Sequence, residues 1–191
     1  VHPFPSSVDI IQKVSSSSKY FAKLDAVHGY FQIPLDDESS FLTTFLLPSG
    51  RYRYLRAPMG LNASGDEFCM RSDHALEGLK GVSKLVDDIL VEADSIQQLD
   101  ERLRALLSRC KKHMIRLSLS KLQIGQEVSF AGHLIGKNGI KPDPQKVEAL
   151  RDFATPTDLT QLRSFLGLAN QLGHFLPDLA QSTIEMRRLL R

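Results

Sequence analysis

The strongest constraint on the fold is a pair of short apolar runs, residues 82–86 and 89–93, separated only by Asp87 and Asp88. Runs of this length and composition are typical of buried strands, and the two-residue gap predicts a tight β-hairpin. Two carboxylates at the tip of an apolar hairpin repel each other and lose hydration, unless a cation or hydrogen bonds stabilise them. Taken alone, however, an Asp-Asp pair is more often an ordinary turn.

A third carboxylate follows another apolar run, because residues 20–24 lead directly into Asp25. Three carboxylates at the ends of neighbouring buried strands supply the oxygen ligands that Mg²⁺ prefers, and they leave room for substrate phosphates. Two such ions would activate an attacking 3′-hydroxyl and stabilise charge on the phosphorus and the leaving pyrophosphate. We therefore expect Asp25, Asp87 and Asp88 to hold two Mg²⁺ ions, with Mn²⁺ as an alternative, in a nucleotidyl-transfer site.

The rest of the chain alternates strand and helix patterns to about residue 140 and is helical beyond it. Pro-Ser-Gly at 48–50 favours a hairpin, while Ser64 with Glu67 and Asp94 with Gln97 have the form of helix-capping pairs. This pattern predicts an α+β fold in which helices cover one face of an antiparallel sheet. The predicted helices are 7–14, 64–79, 95–114, 144–153, 158–172 and 178–190, and the other extended segments are 30–35, 41–47, 51–55, 116–119 and 128–135.

The composition is that of an ordinary folded domain, with 42% apolar and 24% charged residues. No apolar run reaches the roughly 18 residues of a membrane span, so no membrane partner is expected. Cys69 and Cys110 lie in helical patterns without metal-ligand spacing. They are predicted to be buried thiols in a reducing, intracellular compartment.

Positive charge is concentrated in residues 102–146, which contain ten Lys or Arg against two acids, Glu127 and Asp143. Ten minus two gives this segment a net charge of +8, so the remainder of a chain with net charge +2 is −6. Two interpretations stay open. The basic residues form a solvated helix face with its loops, or they hold a phosphate backbone beside an acidic, metal-binding region.

Six motifs resemble, in the same order, those of the reverse transcriptases of gypsy-type LTR retrotransposons and their retroviral relatives. Together they cover nearly the whole chain from about residue 20. The motifs are Lys23-Leu24-Asp25-Ala26-Val27-His28-Gly29-Tyr30-Phe31-Gln32-Ile33, Pro58-Met59-Gly60-Leu61 with Phe68, Leu85-Val86-Asp87-Asp88, Leu117-Ser118-Leu119-Ser120-Lys121, Phe130-Ala131-Gly132-His133, and Leu162-Arg163-Ser164-Phe165-Leu166-Gly167-Leu168.

The resemblance implies a polymerase palm with a ferredoxin-like core at residues 20–140. It further implies that residues 1–19 are the end of a fingers/palm connector and that 141–191 form a small helical, thumb-like unit. The chain would be fused to fingers and RNase H segments in a longer polyprotein, located in the cytoplasm or within retrotransposon particles. The family's fingers hold the triphosphate and would precede Val1, so whether this stretch is active by itself stays open.

The resemblance also implies roles for individual residues. Asp25 and Asp87 would be the main metal ligands with Asp88 as the third carboxylate, and Lys121 would protonate or steady the leaving pyrophosphate. Tyr30 would exclude a 2′-hydroxyl and so select deoxynucleotides, although an ordinary core aromatic is the alternative. The residues expected at the incoming nucleotide are Tyr30, Phe31, Met59 and Gly60, and those expected against the primer backbone are Gly132 and His133.

Three functions are compatible with these features. The leading hypothesis is an RNA-directed DNA polymerase core that extends a primer on an RNA or DNA template with deoxynucleoside triphosphates. The alternative is a polymerase-derived module that binds nucleic acid without activity of its own, although the presence of all three acids argues against it. A nucleotide cyclase on a similar sheet is the third, and residues 58–60, the basic segment and the helical end disfavour it.

Overall fold

The computed structural model describes residues 7–190 of the chain. Strands and helices are interspersed as far as Pro142, and only helices follow up to residue 190. The strands of this part are β1 (Tyr20–Asp25), β2 (Phe45–Leu47), β3 (Gly50–Tyr52), β4 (Val82–Leu85), β5 (Asp88–Ala93), β6 (Gln123–Gly125), β7 (Glu127–Phe130), β8 (His133–Gly136) and β9 (Gly139–Pro142). The α-helices among the described residues are α1 (Ser7–Gln12), α2 (Asp37–Leu42), α3 (Asn62–Leu76), α4 (Ile96–Lys112), α5 (Pro144–Arg151), α6 (Leu159–Gln171), α7 (Leu179–Ser182) and α8 (Ile184–Arg188).

A four-stranded antiparallel sheet in the order β4-β5-β1-β6 carries the acidic residues. The predicted hairpin is confirmed, since β4 pairs with β5. Its loop is Val86 and Asp87, one residue earlier than the predicted Asp87 and Asp88, because Asp88 pairs with Leu85 as the first residue of β5. β1 lies between β5 and β6, so both of its edges are hydrogen-bonded. Two smaller antiparallel sheets, β2-β3 and β7-β8-β9, complete the architecture.

The two faces of the central sheet pack against different layers. Ala22 and Leu24 of β1 face α4 and the end of α3, in a core that includes Leu76 and Leu106. Phe21 faces the opposite side, where it packs with α1 and with β7 and β8. This alternation follows from the two-residue period of a strand. The structure confirms the predicted α+β class, with helices behind an antiparallel sheet.

Both predicted helices behind the sheet are present, but their N-termini differ from the prediction. α3 begins at Asn62, so Ser64 lies inside the helix and is not its cap. α4 is capped by Ser95, which accepts from the Gln98 N–H, while the Gln98 side chain accepts from the Asp94 N–H. The predicted Asp94–Gln97 pair was therefore wrong by one residue, because Ser95 supplies an equally good capping oxygen.

Two segments predicted to be extended are irregular instead. Residues 29–32 form a single 3₁₀ turn, and extended chain resumes only near Pro34, which bridges to Arg56. Within 116–119 the ladder is reduced to one bridge, between Leu117 and Ala26. A third, at 41–47, begins as the end of α2 and becomes a strand only at Phe45. The first two of these segments have no continuous partner strand. The predicted strand at 128–135 is also wrong, because the chain reverses at Ala131 and Gly132, both with positive φ, to form the two paired strands β7 and β8.

The C-terminal helices confirm the helical pattern after residue 140. Asp143 and Asp158 cap α5 and α6 by accepting backbone N–H groups. The predicted helix at 178–190 is divided at Thr183, whose hydroxyl donates to the Leu179 carbonyl.

Within the part of the chain that the structure describes, no helix combines the length and apolar character needed to cross a membrane.

Candidate active site

Asp25 and Asp88 occupy opposite positions on two adjacent strands. Asp25 is the last residue of β1, Asp88 is the first of β5, and the two are register partners. Asp87 lies in the loop just before Asp88, and its carbonyl accepts the Ala26 N–H at 2.9 Å. All three acids therefore belong to one end of the central sheet, fixed by backbone hydrogen bonds on both sides of the loop.

The loop itself contains a strained residue. Val86 has φ 55°, a left-handed conformation that a β-branched residue seldom adopts. Such a conformation costs on the order of 1–3 kcal/mol and persists only where the surrounding structure imposes it. Here β4 and β5 impose it, because they are paired directly up to Leu85 and Asp88.

Lys23 is the ionic partner of Asp88. Its ammonium lies 2.9 Å from the Asp88 carboxylate, and the two side chains are only 16% and 23% exposed. Burial raises the pKa of Asp88 above its ordinary value, the Lys23 ammonium opposes that shift, and the charges of Asp87 and Asp25 add to it. Asp88 is thus a partly buried carboxylate held by Lys23, with the other two acids close enough to act on its pKa.

Lys121 is the ionic partner of Asp25. Its ammonium donates to the Asp25 carboxylate at 2.9 Å, and this contact raises the pKa of Lys121. The Asp25 side chain is 10% exposed, whereas that of Lys121 is 61% exposed. Ser118 anchors the neighbouring chain, since its N–H donates to the Asp25 carbonyl at 2.8 Å. The ammonium is thus held at Asp25 but retains access to solvent.

The donor set suits Mg²⁺, but its present arrangement does not form a complete metal site. Carboxylate oxygens are the ligands that Mg²⁺ prefers. The pKa of Asp88 is raised chiefly by burial, and the charges of Asp87 and Asp25 add to the rise. Nevertheless, among residues 7–190 no three His, Cys, Asp or Glu side chains are grouped closely enough to hold a metal ion. Two lysine ammoniums, those of Lys23 and Lys121, neutralise the carboxylates instead.

Tyr30 and Phe31 lie on the 3₁₀ turn that follows β1. The Tyr30 ring is half-buried and packs edge-on against Phe68, with 5.9 Å between ring centroids. Burial raises the pKa of its hydroxyl. Phe31 is exposed and lies 6.4 Å from the Tyr54 ring. Tyr30 thus makes core contacts and is also partly open to solvent. Both predictions for it, contact with a nucleotide sugar and packing in the core, are compatible with this position.

Met59 and Gly60 lie on an exposed turn before α3. Met59 is 61% exposed. Gly60 has φ +91°, and a side chain built on it would meet no atom within 4 Å. Glycine is therefore required here by the backbone conformation and not by crowding within the chain. Close approach of a ligand to this turn stays a prediction.

Gly132 and His133 are at the turn between β7 and β8. Gly132 has φ +76°. The His133 ring is buried: Nδ1 contacts the Ala131 carbonyl at 2.9 Å, and the ring lies 5.6 Å from that of Phe175. Burial lowers the pKa of this imidazole. Of the two residues, Gly132 is the better placed to approach a ligand, while His133 joins the turn to the helical unit.

Two residues with central contacts were not singled out from the sequence. Lys23 had a usable signal, because it stands two residues before Asp25 and so shares its face of β1. Gln32 had none. Its amide donates to the carbonyls of Val27 and Arg116 at 2.6 and 3.0 Å, and its oxygen accepts the Arg116 N–H at 2.8 Å. It thereby ties the 3₁₀ turn to the segment before Lys121.

The basic segment is largely engaged in contacts within the chain. Arg102 donates to the Glu92 carbonyl, and Arg109 donates to the carbonyls of Ala75 and Glu77 at the end of α3. Arg104 pairs with an acid on its own helix. These contacts fix the direction of three side chains on α4, but only the charge of Arg104 is neutralised, so both interpretations of the basic segment stay open.

The antiparallel sheet, with acids at the ends of adjacent strands and helices behind it, has the arrangement of a nucleic-acid polymerase palm. A solved structure of a foamy viral protease-reverse transcriptase in complex with double-stranded DNA has this fold, with a TM-score of 0.91 at 22% identity. The match covers 100% of this chain and 34% of that one.

The family model described as reverse transcriptase (RNA-dependent DNA polymerase) matches residues 3–135, and the chain belongs to this family. It is 35% identical over 182 residues to the uncharacterized protein K02A2.6 of Caenorhabditis elegans, covering 95% of this chain and 14% of that protein. It is 31% identical over 188 residues to the retrovirus-related Pol polyprotein from transposon gypsy of Drosophila melanogaster, covering 94% and 18%. The chain thus spans less than a fifth of either relative.

Proposed function

We propose that the chain is the catalytic palm of an RNA-directed DNA polymerase that adds deoxynucleotides to a primer 3′-hydroxyl by two-metal nucleotidyl transfer. The observation that carries the proposal is the register pairing of Asp25 with Asp88, next to the Asp87 loop. Burying acids at one end of a sheet costs folding free energy even when cations offset part of it, so three acids kept at this place are consistent with a functional role. Family membership supplies the reaction class for that use.

Asp25, Asp87 and Asp88 would hold the two Mg²⁺ ions, or Mn²⁺ ions. When bound, the ions supply charge that activates the primer hydroxyl and stabilises the leaving pyrophosphate. The lysines contact the same carboxylates: Lys23 orients Asp88 and opposes the rise in its pKa that burial causes, and Lys121 binds Asp25. The exposed Lys121 ammonium can turn to a substrate phosphate and donate a proton there.

The incoming nucleotide would lie over Tyr30 and Phe31, with Met59 and Gly60 on its other side. The partly open Tyr30 ring excludes a 2′-hydroxyl by contact, and Gly60 leaves its space free for a base pair. The primer backbone would pass Gly132 at the β7–β8 turn. His133 supports this turn from within, because its ring is buried against Phe175.

The partners of the proposed enzyme are a primed RNA or DNA template and deoxynucleoside triphosphates. Support comes from the foamy viral enzyme, which has the same fold and is in complex with double-stranded DNA. The relatives named as Pol polyproteins support a place within a longer polyprotein, with an intracellular or particle-associated location. Fingers and RNase H segments would accompany the palm in such a polyprotein.

Primer extension tests the proposal. The chain, and a version extended at its N-terminus, are given a labelled primer on RNA and DNA templates with Mg²⁺ or Mn²⁺. Asp87→Asn should abolish extension by removing a ligand's charge. Asp100→Asn is the matched control, since Asp100 is an exposed acid paired with Arg104 on α4. Extension that survives Asp87→Asn, or that is equally lost in Asp100→Asn, contradicts the proposed site.

One observation favours the second candidate, a nucleic-acid-binding module without activity. Asp25 and Asp88 are already neutralised by lysines, and the acids in residues 7–190 are not grouped as a metal site. Duplex binding without extension in either version of the protein, with either metal, would support that function.

A further inference from the structure

A lysine from the helical unit lies over the β7–β8 turn. Gly132 has φ +76°, and a Cβ built there would lie 3.0 Å from Cε and 3.7 Å from Cδ of Lys146, and closer still to its Nζ. The stem of Lys146 therefore occupies the space that a side chain at Gly132 would fill. Glycine at this position serves the turn and also admits the ammonium to its surface.

The ammonium is held there by a neutral acceptor. Lys146 Nζ donates to the side-chain oxygen of Gln171, on α6, at 2.8 Å. By contrast, Lys121 and Lys141 in the same basic segment donate to carboxylates, those of Asp25 and Glu127. An amide orients an ammonium without neutralising it. The positive charge of Lys146 is thus fixed in direction and left available to an anion.

Rigid elements hold this lysine on both sides. Asp143 caps α5 by accepting the Gln145 N–H at 3.0 Å, and its other oxygen accepts the Ser129 hydroxyl of β7 at 3.3 Å. α5 is therefore fastened to the strand that leads into the turn. The charge of Lys146 also reaches His133, whose lowered pKa it helps to maintain.

We propose that Lys146 is a contact for a nucleic-acid phosphate at the β7–β8 turn, oriented by Gln171. The ligand is the sugar–phosphate backbone of a primer–template duplex, so the inference rests on the proposed function and adds a residue to it. The site combines two parts of the fold, because the turn lies between β7 and β8 whereas Lys146 is on α5. A point charge without base-reading groups fits contact with phosphate, which carries no sequence information.

The test is the salt dependence of duplex binding. A fluorescent RNA/DNA primer–template is titrated with the 191-residue chain at several KCl concentrations. Lys146→Gln should weaken binding and reduce the log–log salt slope by about 0.9, the value for one phosphate contact. Lys146→Arg should keep the slope. Lys19 is an exposed lysine directly before the first residue of β1, at the opposite end from Asp25, and Lys19→Gln should leave the salt slope unchanged.

A second pair of variants separates charge from structure. Gln171→Glu gives Lys146 a carboxylate partner, so it should weaken duplex binding while the melting temperature stays the same or rises. Asn170→Asp is its matched control, because it makes the same charge change one residue away and faces Arg187. Equal losses of binding in Gln171→Glu and Asn170→Asp overturn the inference, as does an unchanged slope in Lys146→Gln.

The two proposals fail in different ways. Primer extension by the N-terminally extended protein, together with an unchanged slope in Lys146→Gln, removes only the role of Lys146. Duplex binding with the expected change of slope, but with no primer extension, retains Lys146 and removes the polymerase. A chain that binds no duplex at all overturns the Lys146 contact directly.

Discussion

Asp25 and Asp88 face each other across adjacent antiparallel strands, yet each is bound to a different lysine at the same distance of 2.9 Å. Lys23 comes from the strand of Asp25 and binds Asp88, so the two strands are joined by a side-chain ion pair as well as by the ladder. Lys121 comes from the segment after Ser118 and binds Asp25. The acidic end of the sheet is therefore stabilised by the chain's own cations.

Replacement of Lys23 should lower the stability of the fold, because Asp88 loses its ionic partner. Lys23→Met keeps the stem but leaves the partly buried Asp88 carboxylate without its cation, at a cost of about 1–3 kcal/mol in the free energy of unfolding. Urea denaturation measures the loss. Adding Asp88→Asn to Lys23→Met should recover most of it, because no unpaired charge remains. If Lys23→Met were as stable as the wild type, the Lys23–Asp88 ion pair would make no net contribution to the free energy of unfolding.

Tyr30 is predicted to select deoxynucleotides by steric contact in the N-terminally extended protein. Tyr30→Phe keeps the ring and should leave the ratio of ribo- to deoxynucleotide incorporation nearly unchanged, whereas Tyr30→Ala should raise it sharply with some loss of rate. The ring also packs against Phe68. If Tyr30→Ala lowered both incorporations equally, packing would be its whole role.

Gln32 is predicted to fix the 3₁₀ turn that carries Tyr30. Gln32→Ala removes three hydrogen bonds to backbone groups and should cost about 1–3 kcal/mol. Gln32→Glu should cost more, since it sets an acceptor against two carbonyl oxygens. Chemical denaturation gives both values, with the exposed Gln97→Ala as the control. If Gln32→Ala and Gln97→Ala were equally stable, the three hydrogen bonds of Gln32 would contribute no net stability, because water replaces them in the variant.

His133 should make the fold sensitive to acid. Burial lowers its pKa below the ordinary 6.5, so the unfolded chain takes up a proton more readily than the folded one. Stability from this group is present above about pH 6.5 and declines as the pH falls towards the folded pKa. His133→Gln should reduce that decline between pH 7 and 5, measured by urea denaturation. The exposed His28→Gln should not change it.

Lys111 and Lys112 remain candidates for the phosphate-binding surface that the charge pattern suggested. Both are exposed in the last turn of α4, unlike Arg109, which is engaged with α3. Replacing each by Ala should lower the salt slope of duplex binding by up to about one per true phosphate contact. Arg104→Ala, an ion-paired residue on the same helix, is the control. A slope equal to that of the control would assign both lysines to the solvated face.

The sequence was informative where local chemistry decides the structure. The hairpin at Asp87 and Asp88 followed from two apolar runs and a two-residue gap, and the cap of α5 followed from Asp143 before Pro144. The start of α3 was mispredicted because Ser64 has the form of a cap, although the chain already turns helical at Asn62. Two good local signals close together cannot be ranked without the packing around them.

Contacts between distant residues could not be predicted in the same way. The period of a strand places Lys23 beside Asp25, but only the register of β1 against β5 shows that it binds Asp88. Likewise, nothing near Gln32 indicates a partner at Arg116. The roles of Asp25, Asp87 and Asp88 as metal ligands stay predictions, supported by their placement at one end of the sheet.

The central position of β1 has a consequence for how the chain acquires its structure. During synthesis from the N-terminus, β1 is made long before residues 88–93 and 123–125, which pair with its two edges. Until both have emerged, an apolar strand with two open edges is exposed to other chains, which is a hazard for aggregation. Pairing over such separations in sequence also slows folding. The acidic end of the sheet therefore cannot form until residue 88 has been made, although Asp25 is present much earlier.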